Sequence, residues 1–362
     1  MKKKFKPKYF TVIIDVYYNL KLFQKSINSI LNQSYKKIEI VIIDNGSDHI
    51  ISNFITVLKN KHVNIKVIRY KNNIYSHDDP EKRFQICYNE ALKISFCEYI
   101  YYQSYDDLIN KNYLTKMAKL LLNPNCITAS GLLIKINEKG SIIQDANIGR
   151  FKNIRSKFIH GGTITLDNYL NKHSYSYASN ISHFAFKRKA LEKVGGFHRA
   201  IEQLIFLFIL PQGITGYDES AYFYYREHRN QGHKITLNEG YIASQDIMSL
   251  LKSKKKLFNE IWDNYPKSIL KTIIGRKTLY QCIVNHILKY TASRIVECIY
   301  TFNFKSFYLI VIRNYNLNFY KYIPYYLFIR PIYIYYTLRD KFKIVKKYDP
   351  LFKKFFYNKK ND

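Results

Sequence analysis

The sequence predicts an α/β protein: a mixed, doubly wound sheet with helices on both faces, followed by a mainly helical C-terminal extension. Two observations predict it. Short runs of β-branched residues alternate with segments of helical hydrophobic period through the first hundred residues. One run, Tyr99-Ile-Tyr-Tyr-Gln-Ser-Tyr-Asp-Asp-Leu108, ends in adjacent carboxylates, Asp106 and Asp107. Acids at the carboxyl end of a strand stand where open α/β sheets bind their ligands.

Residues 10–14 are short, apolar and rich in branched side chains, as a buried parallel strand requires. Leu20, Phe23, Ile27, Ile30 and Leu31 then recur at helical spacing. A second strand, 38–43, stops at Asp44-Asn-Gly-Ser47, a turn signal. A helix over 49–58 and a third strand over 63–68 follow, then a polar loop over 71–80 and a helix over 81–95. The fourth strand, 98–103, leads into the acidic pair. Strands are also expected at 127–136 and 180–186, a helix at 189–194 before the Gly195-Gly196 turn, and a helical segment at 202–210.

Composition bounds the partners rather than the fold. The 362 residues can bury a full core and leave room for an extension. With 58 basic and 27 acidic residues the net charge is +31, which favours anionic partners such as nucleotide-sugars, acidic lipid headgroups or nucleic acid. The five cysteines (Cys87, Cys97, Cys126, Cys282, Cys298) form no CxxC pair or zinc-like cluster, so reduced thiols are expected. The N-terminal Met-Lys-Lys-Lys lacks a secretory apolar region, and no uncharged apolar run approaches the ~20 residues of a spanning helix. The expectation is a cytoplasmic protein, or one peripheral to the inner face of the cell membrane.

Beyond residue 230 the composition changes. Residues 251–362 hold 23 Lys plus Arg against 6 Asp plus Glu, a balance of +17, and residues 299–336 hold 15 aromatics. Tyr and Phe mixed with cations suit a helix lying against an anionic membrane surface. A small bundle packing those aromatics on the preceding domain suits them equally. The expected division is 1–230 for a catalytic domain and 231–362 for a basic, aromatic-rich helical region.

Four stretches fall in a telling order: Thr11-Val-Ile-Ile-Asp-Val-Tyr17, Ile40-Val-Ile-Ile-Asp-Asn-Gly-Ser47, the acidic strand above, and Val194-Gly-Gly-Phe197. The order resembles the family 2 glycosyltransferases of the bacterial surface-polysaccharide type, which have a GT-A fold. The resemblance runs from about residue 10 to 228. It implies an inverting hexosyl- or N-acetylhexosaminyl-transferase that moves a sugar from a nucleotide-sugar, with a leaning to UDP, onto a glycan or lipid-linked glycan. It also implies Mn²⁺ or Mg²⁺, since carboxylates bind such ions while leaving positions open for phosphate oxygens.

Residue by residue, Asp106 matches the last Asp of the family's Asp-x-Asp and is the expected metal ligand and donor contact. Asp107 beside it is expected to orient the catalytic site. Ser104 stands at the first Asp of that motif and can still hydrogen-bond a ribose or a metal-bound water. Asp44 is expected to hold the base or ribose, with a plain Asx-turn as the alternative. Tyr17 is expected to lie against the base, or else to pack in the core. Arg226 and His228 match an Arg-x-His near the end of the domain, expected at the diphosphate and the metal respectively.

The chain also departs from the family. Asp15 stands for the usual Pro, and Tyr18 for the usual Asn. Glu202-Gln203 stands for Glu-Asp, whose Asp is the expected acceptor base. Glutamine cannot accept the proton usefully at neutral pH, which leaves Glu202, or else Asp218 or Glu219, as the catalytic base. Ser104 and Gln203 also leave open a non-catalytic relative that binds nucleotide-sugar or glycan. A nucleic-acid binder rests on charge alone, which gives only non-specific affinity.

Overall fold

The structure, a computed structural model, describes residues 6–74, 84–143, 163–164, 181–197, 205–206 and 209–228, with single positions between 288 and 324. Within the expected helix at 202–210, Ile205, Phe206 and Ile209 are helical and buried; Glu202, Gln203 and most of the region 231–362 lie outside the described residues.

The first strand, β1 (Lys6–Val16), is buried on both faces from Phe10 onward, so it reads as a continuous apolar run rather than an alternating one. Helix α1 (Leu20–Leu31) buries Leu22, Phe23, Ile27 and Ile30 on one side. Asn19 caps it, accepting the Leu22 N–H at 3.2 Å from a left-handed conformation that Asn tolerates. Strand β2 (Ile38–Asn45) is followed by α2 (His49–Lys61), capped by Asp48, which accepts the Ile51 N–H at 2.9 Å. Lys59 and Lys61 in its last turn suit the negative end of the helix dipole. Strand β3 (Ile65–Tyr70), a π-helical turn (Phe84–Tyr88), α3 (Asn89–Ile94) and β4 (Cys97–Ser104) come next.

The second half adds β5 (Leu108–Ile109), α4 (Tyr113–Leu121), β6 (Cys126–Asn137), β7 (Thr163–Ile164), β8 (Phe184–Lys187), α5 (Arg188–Lys193) and β9 (Ile214–Glu227). The stretch at the end of the resemblance, 222–228, forms the last part of this 14-residue strand through Glu227. Among the described residues the strands form one sheet of order β3-β2-β1-β4-β8-β6-β9-β5, with β7 beside β9. Strands β1 to β4 are mutually parallel, and β8 enters antiparallel between β4 and β6.

This order reverses direction at β1. The chain steps outward to β2 and β3, then returns to the other flank of β1 as β4. The carboxyl ends of β1 and β4 thus bound a topological switch point, the crevice where open sheets take ligands. The core beneath is built from Phe10, Val12, Ile14, Phe23, Ile27, Ile42, Tyr101 and Tyr113, all fully buried. Each such side chain contributes about 1.5–3 kcal/mol on burial, so the strand ends rest on a rigid floor.

Cys87, Cys97 and Cys126 are buried free thiols, as expected for those three. Among the described residues no helix is long and apolar enough to cross a membrane. Further along, Leu288, Ala292, Ile295 and Val296 are helical and buried, at the spacing of one helix face, while Tyr308 and Tyr320 are exposed.

Candidate functional site

The middle of the domain's sequence meets its end through β5. Directly after the acidic pair, Leu108 and Ile109 pair antiparallel with Tyr224 and Phe223 of β9. That pairing carries the end of β9 alongside the turn of residues 104–107. His228 Nε2 lies 2.9 Å from Asp106 Oδ2, across 122 positions of sequence. The other oxygen of Asp106 accepts the Ser104 hydroxyl at 2.5 Å. Ser104, expected to hydrogen-bond a ribose or a metal-bound water, here donates to its neighbour Asp106.

The turn's backbone is held from three sides. Ser26 of α1 donates its hydroxyl to the Ser104 carbonyl at 2.9 Å. Gln103 donates its amide to the Asp107 carbonyl at 3.1 Å and to Ser26 and Ser29. Arg226 Nε donates to the Asp106 carbonyl at 2.8 Å. Three carbonyls in four residues are fixed, so the Asp106 side chain leaves a backbone with little freedom. The clamp of Ser26, Ser29 and Gln103 escaped the sequence reading. Its signal was two serines three apart on the buried side of a helix otherwise lined by Leu, Phe and Ile.

Arg226 and Asp107 are both buried beside the turn. Arg226 is fully buried. Its Nη1 donates to the carbonyls of Asn137 and Glu138 at 3.1 and 2.8 Å, and its backbone N–H donates to Asp107 Oδ1 at 2.9 Å. A guanidinium donating to three backbone carbonyls braces the turn. Asp107 is 2% exposed and turned into that brace. Burial pushes its carboxyl well above the ordinary range, the neighbouring Asp106 adds to the rise, and Arg226 opposes it. Its bond from the Arg226 N–H ties the turn to the end of β9.

The alternative bases are also placed elsewhere. Asp218 accepts from the N–H and hydroxyl of Ser220 at 2.9 and 2.5 Å and lies 3.9 Å from Lys116 of α4. Asp218 and the exposed Glu219 precede Arg226 by eight and seven residues along β9, on the far side of a register shift from the site.

On the other flank, β1 and β2 end together, with Val16 opposite Asp44, while Asp15 is opposite Ser104 across β4. Tyr17 therefore emerges at the strand ends, 44% exposed, with Tyr18 edge-on at 6.2 Å. It is not a core residue. Asp44 forms an Asx-turn, its Oδ1 accepting the Ser47 N–H and hydroxyl at 3.1 and 2.6 Å, and Arg69 Nε lies 3.6 Å from Oδ2. Gly46 makes the turn possible, since its φ is +73° and a Cβ there would lie 2.5 Å from the backbone of Asn72 and Asn73. Tyr18 packs at a tilt against Tyr105, ring centroids 5.3 Å apart, and burial raises both hydroxyl pKa values.

Whether these residues fit a divalent cation can be judged from the chemistry of the donors. Among the described residues no group of three or more His, Cys, Asp or Glu side chains converges. Two donors do. At metal–ligand bonds of about 2.1 Å, adjacent ligands of an octahedral ion stand about 3 Å apart, close to the 2.9 Å between Asp106 Oδ2 and His228 Nε2. A carboxylate and an imidazole at this spacing can hold a divalent cation, with the remaining positions left to phosphate and water.

The described sheet is the GT-A arrangement, a mixed α/β sheet flanked by helices. The chain is similar to uncharacterized glycosyltransferases of Rickettsia conorii (33% identical over 141 residues) and Rickettsia felis (32% over 141), the match covering 39% of this chain and 22% of each relative's length. Among solved structures it is similar to S. aureus TarS 1–349 in complex with UDP-GlcNAc (16% identical, TM-score 0.49, 85% of this chain and 91% of that one). It is also similar to the mannosyltransferase PcManGT of Pyrobaculum calidifontis in complex with GDP-Man and Mn²⁺ (16% identical, TM-score 0.47, 67% and 64%). Residues 11–195, more than half of the 362, match the family described as Glycosyl transferase family 2, from the first strand through the Gly195-Gly196 turn. The chain belongs to that family.

Proposed function

We propose that this chain is an inverting glycosyltransferase that moves a hexosyl or N-acetylhexosaminyl group from a UDP-sugar to a glycan or lipid-linked glycan of the cell surface. The observation that carries the reading is the Asp106–His228 pair at the carboxyl end of β4, beside the switch point of the sheet. Asp106 Oδ2 and His228 Nε2 would hold the divalent cation, which when bound offsets charge on the departing diphosphate. Ser104 fixes the second Asp106 oxygen, so the carboxylate keeps one orientation. Tyr17, exposed at the end of β1, offers a ring face to the base, and Asp44 at the end of β2 lies within reach of base or ribose. Glu202 is the remaining candidate to take the acceptor's proton.

The test is a thermal-shift screen of UDP, UDP-sugars and GDP-sugars with and without Mn²⁺. A UDP ligand that raises the midpoint only with metal supports the reading, because ligand bound to the folded state stabilises it by mass action. No shift with any nucleotide, together with no transfer, sinks it.

The same reading places the enzyme at the inner face of the membrane. What supports this is the +17 balance of residues 251–362 and their aromatic content, worth about 1 kcal/mol per well-placed cation at an anionic surface. The full chain should pellet with phosphatidylserine vesicles at low salt and be released at high salt. Pelleting that ignores both salt and lipid charge overturns the placement.

A further inference from the structure

The two ends of the parallel strands β1 to β4 carry opposite charge. The chain leaving them (15–19, 44–48, 69–73 and 104–107) holds five acids and two bases. The chain entering them (6–10, 33–40, 59–66 and 93–99) holds eight lysines and two acids. A basic composition spread evenly would favour neither end, so the separation is a property of this domain rather than of the total of +31. Both acids at the entering end are engaged. Glu39 is buried and pairs with Lys66 at 3.0 Å, and Glu98 accepts the Lys8 N–H at 2.7 Å.

The backbone presents these lysines in a fixed way. The β1–β4 register shifts between Lys6 and Phe10, so four steps of β1 span two of β4. Inside this bulge Lys8 has φ +59°, a left-handed conformation uncommon for lysine. Glu98 accepts its N–H and the Tyr35 hydroxyl donates to its carbonyl, while its side chain is exposed. Next to it, the Tyr9 ring draws two cations, Lys6 Nζ at 5.7 Å from the centroid and Lys37 Nζ at 5.9 Å. Like charges gathered on one ring repel, and a bound anion relieves that repulsion. Toward β3 and β4 the same end gains apolar tips: Val63 is fully exposed and Ile94 is exposed. Lys66 donates to the Ile94 carbonyl at 2.7 Å and lies 5.4 Å from the Phe96 ring centroid.

We propose that the amino end of the parallel sheet is a docking surface for the anionic headgroups of a phospholipid bilayer, with the ligand end turned away from it. Lysines beside aromatic rings suit the headgroup region. Val63 and Ile94 find apolar depth there, which the phosphate backbone of a nucleic acid does not offer. The orientation follows from the charge separation. Strand β2 is eight residues long, about 25 Å from end to end. That is well beyond the screening length of about 8 Å at physiological salt. The acids of the ligand end are thus remote from a surface that they would be repelled by if they faced it. This surface belongs to the sheet domain and is separate from residues 251–362. It does not depend on the transferase reading.

The experiment uses the full chain and phosphatidylcholine vesicles with and without phosphatidylserine. Val63 stands at the amino end, and the exposed Ile50 stands in the first turn of α2, at the ligand end. Val63→Cys and Ile50→Cys are each labelled with an environment-sensitive dye in a chain carrying Cys282→Ser and Cys298→Ser. The remaining cysteines are buried. Emission from position 63 should shift to the blue on phosphatidylserine vesicles, and emission from position 50 should not. A shift at position 50 alone, or at neither position while the chain pellets, overturns the inference. A second variant, Lys6→Gln with Lys8→Gln and Lys37→Gln, should lower vesicle affinity roughly 10- to 100-fold, at about 1 kcal/mol per cation. Unchanged vesicle affinity in that variant overturns the inference. So does wild-type affinity for duplex DNA equal to that for the vesicles, since the end is then a general polyanion surface. None of these readouts involves the donor, so they stand or fall whatever UDP binding shows.

Discussion

The ends of β1 and β2 and the junction of β5 with β9 both carry acids at the ligand end of the sheet, but they are built differently. Asp44 is held by Ser47, three positions away, in a turn that Gly46 permits. Asp106 is held by Ser104 on one oxygen and faces His228 on the other, and its carbonyl rests on Arg226, more than a hundred residues distant. The first site is local chemistry and forms wherever its four residues are present. The second exists only when β9 has reached β5. The local site shapes a surface, whereas the long-range one brings together two groups of different chemistry.

The difference can be broken most severely at Asp106. Asp106→Asn should lower turnover by roughly 10²-fold or more while leaving the far-ultraviolet circular dichroism unchanged, and His228→Ala should do the same with loss of the Mn²⁺ response. Full rates and a normal metal response in Asp106→Asn would remove the pair from the mechanism.

A smaller effect is expected at the local site. Asp44→Ala removes the acceptor for Ser47 and should lower stability by about 1–2 kcal/mol. If the carboxylate also meets the base or ribose, the donor KM rises with kcat unchanged. A drop in kcat at constant KM would show that the turn belongs with the chemistry instead.

The smallest effect, and the sharpest test of the brace, is at Asp107. Its folded pKa is raised above the ordinary 3.8 by burial. Its contribution to stability is therefore fully present below that value and is lost as pH rises through the folded one. Asp107→Asn keeps an acceptor for the Arg226 N–H and should flatten stability against pH above about 4, so that the variant gains on wild type as pH rises. A variant that loses stability relative to wild type as pH rises would mean that Asp107 is held ionised by Arg226.

Several features were legible in the residues themselves. The four parallel strands, the helices between them, the turn at Asp44-Asn-Gly-Ser47 and the placing of Asp106 at a strand end all follow from hydrophobic period and turn chemistry within short windows. The pairing of Ser104 with Asp106 is two residues long and was within the same reach. Arg226 was not, because a motif names a residue and not the direction its side chain takes. In the sequence it is one of 58 basic residues. In the fold it is enclosed by backbone carbonyls, because β9 places it behind the acidic turn rather than in front of it.

By itself, the sequence determined the order of the elements, the apolar floor and the acids at the strand ends, since each is set by neighbours a few positions apart. Only the tertiary structure decided that Asp106 faces His228 while Asp107 turns inward to Arg226. It also decided that Asn89 closes on Phe197 across 108 positions. Those choices depend on which strand lies beside which, and a two-residue strand, β5, settles the first of them by pairing with β9.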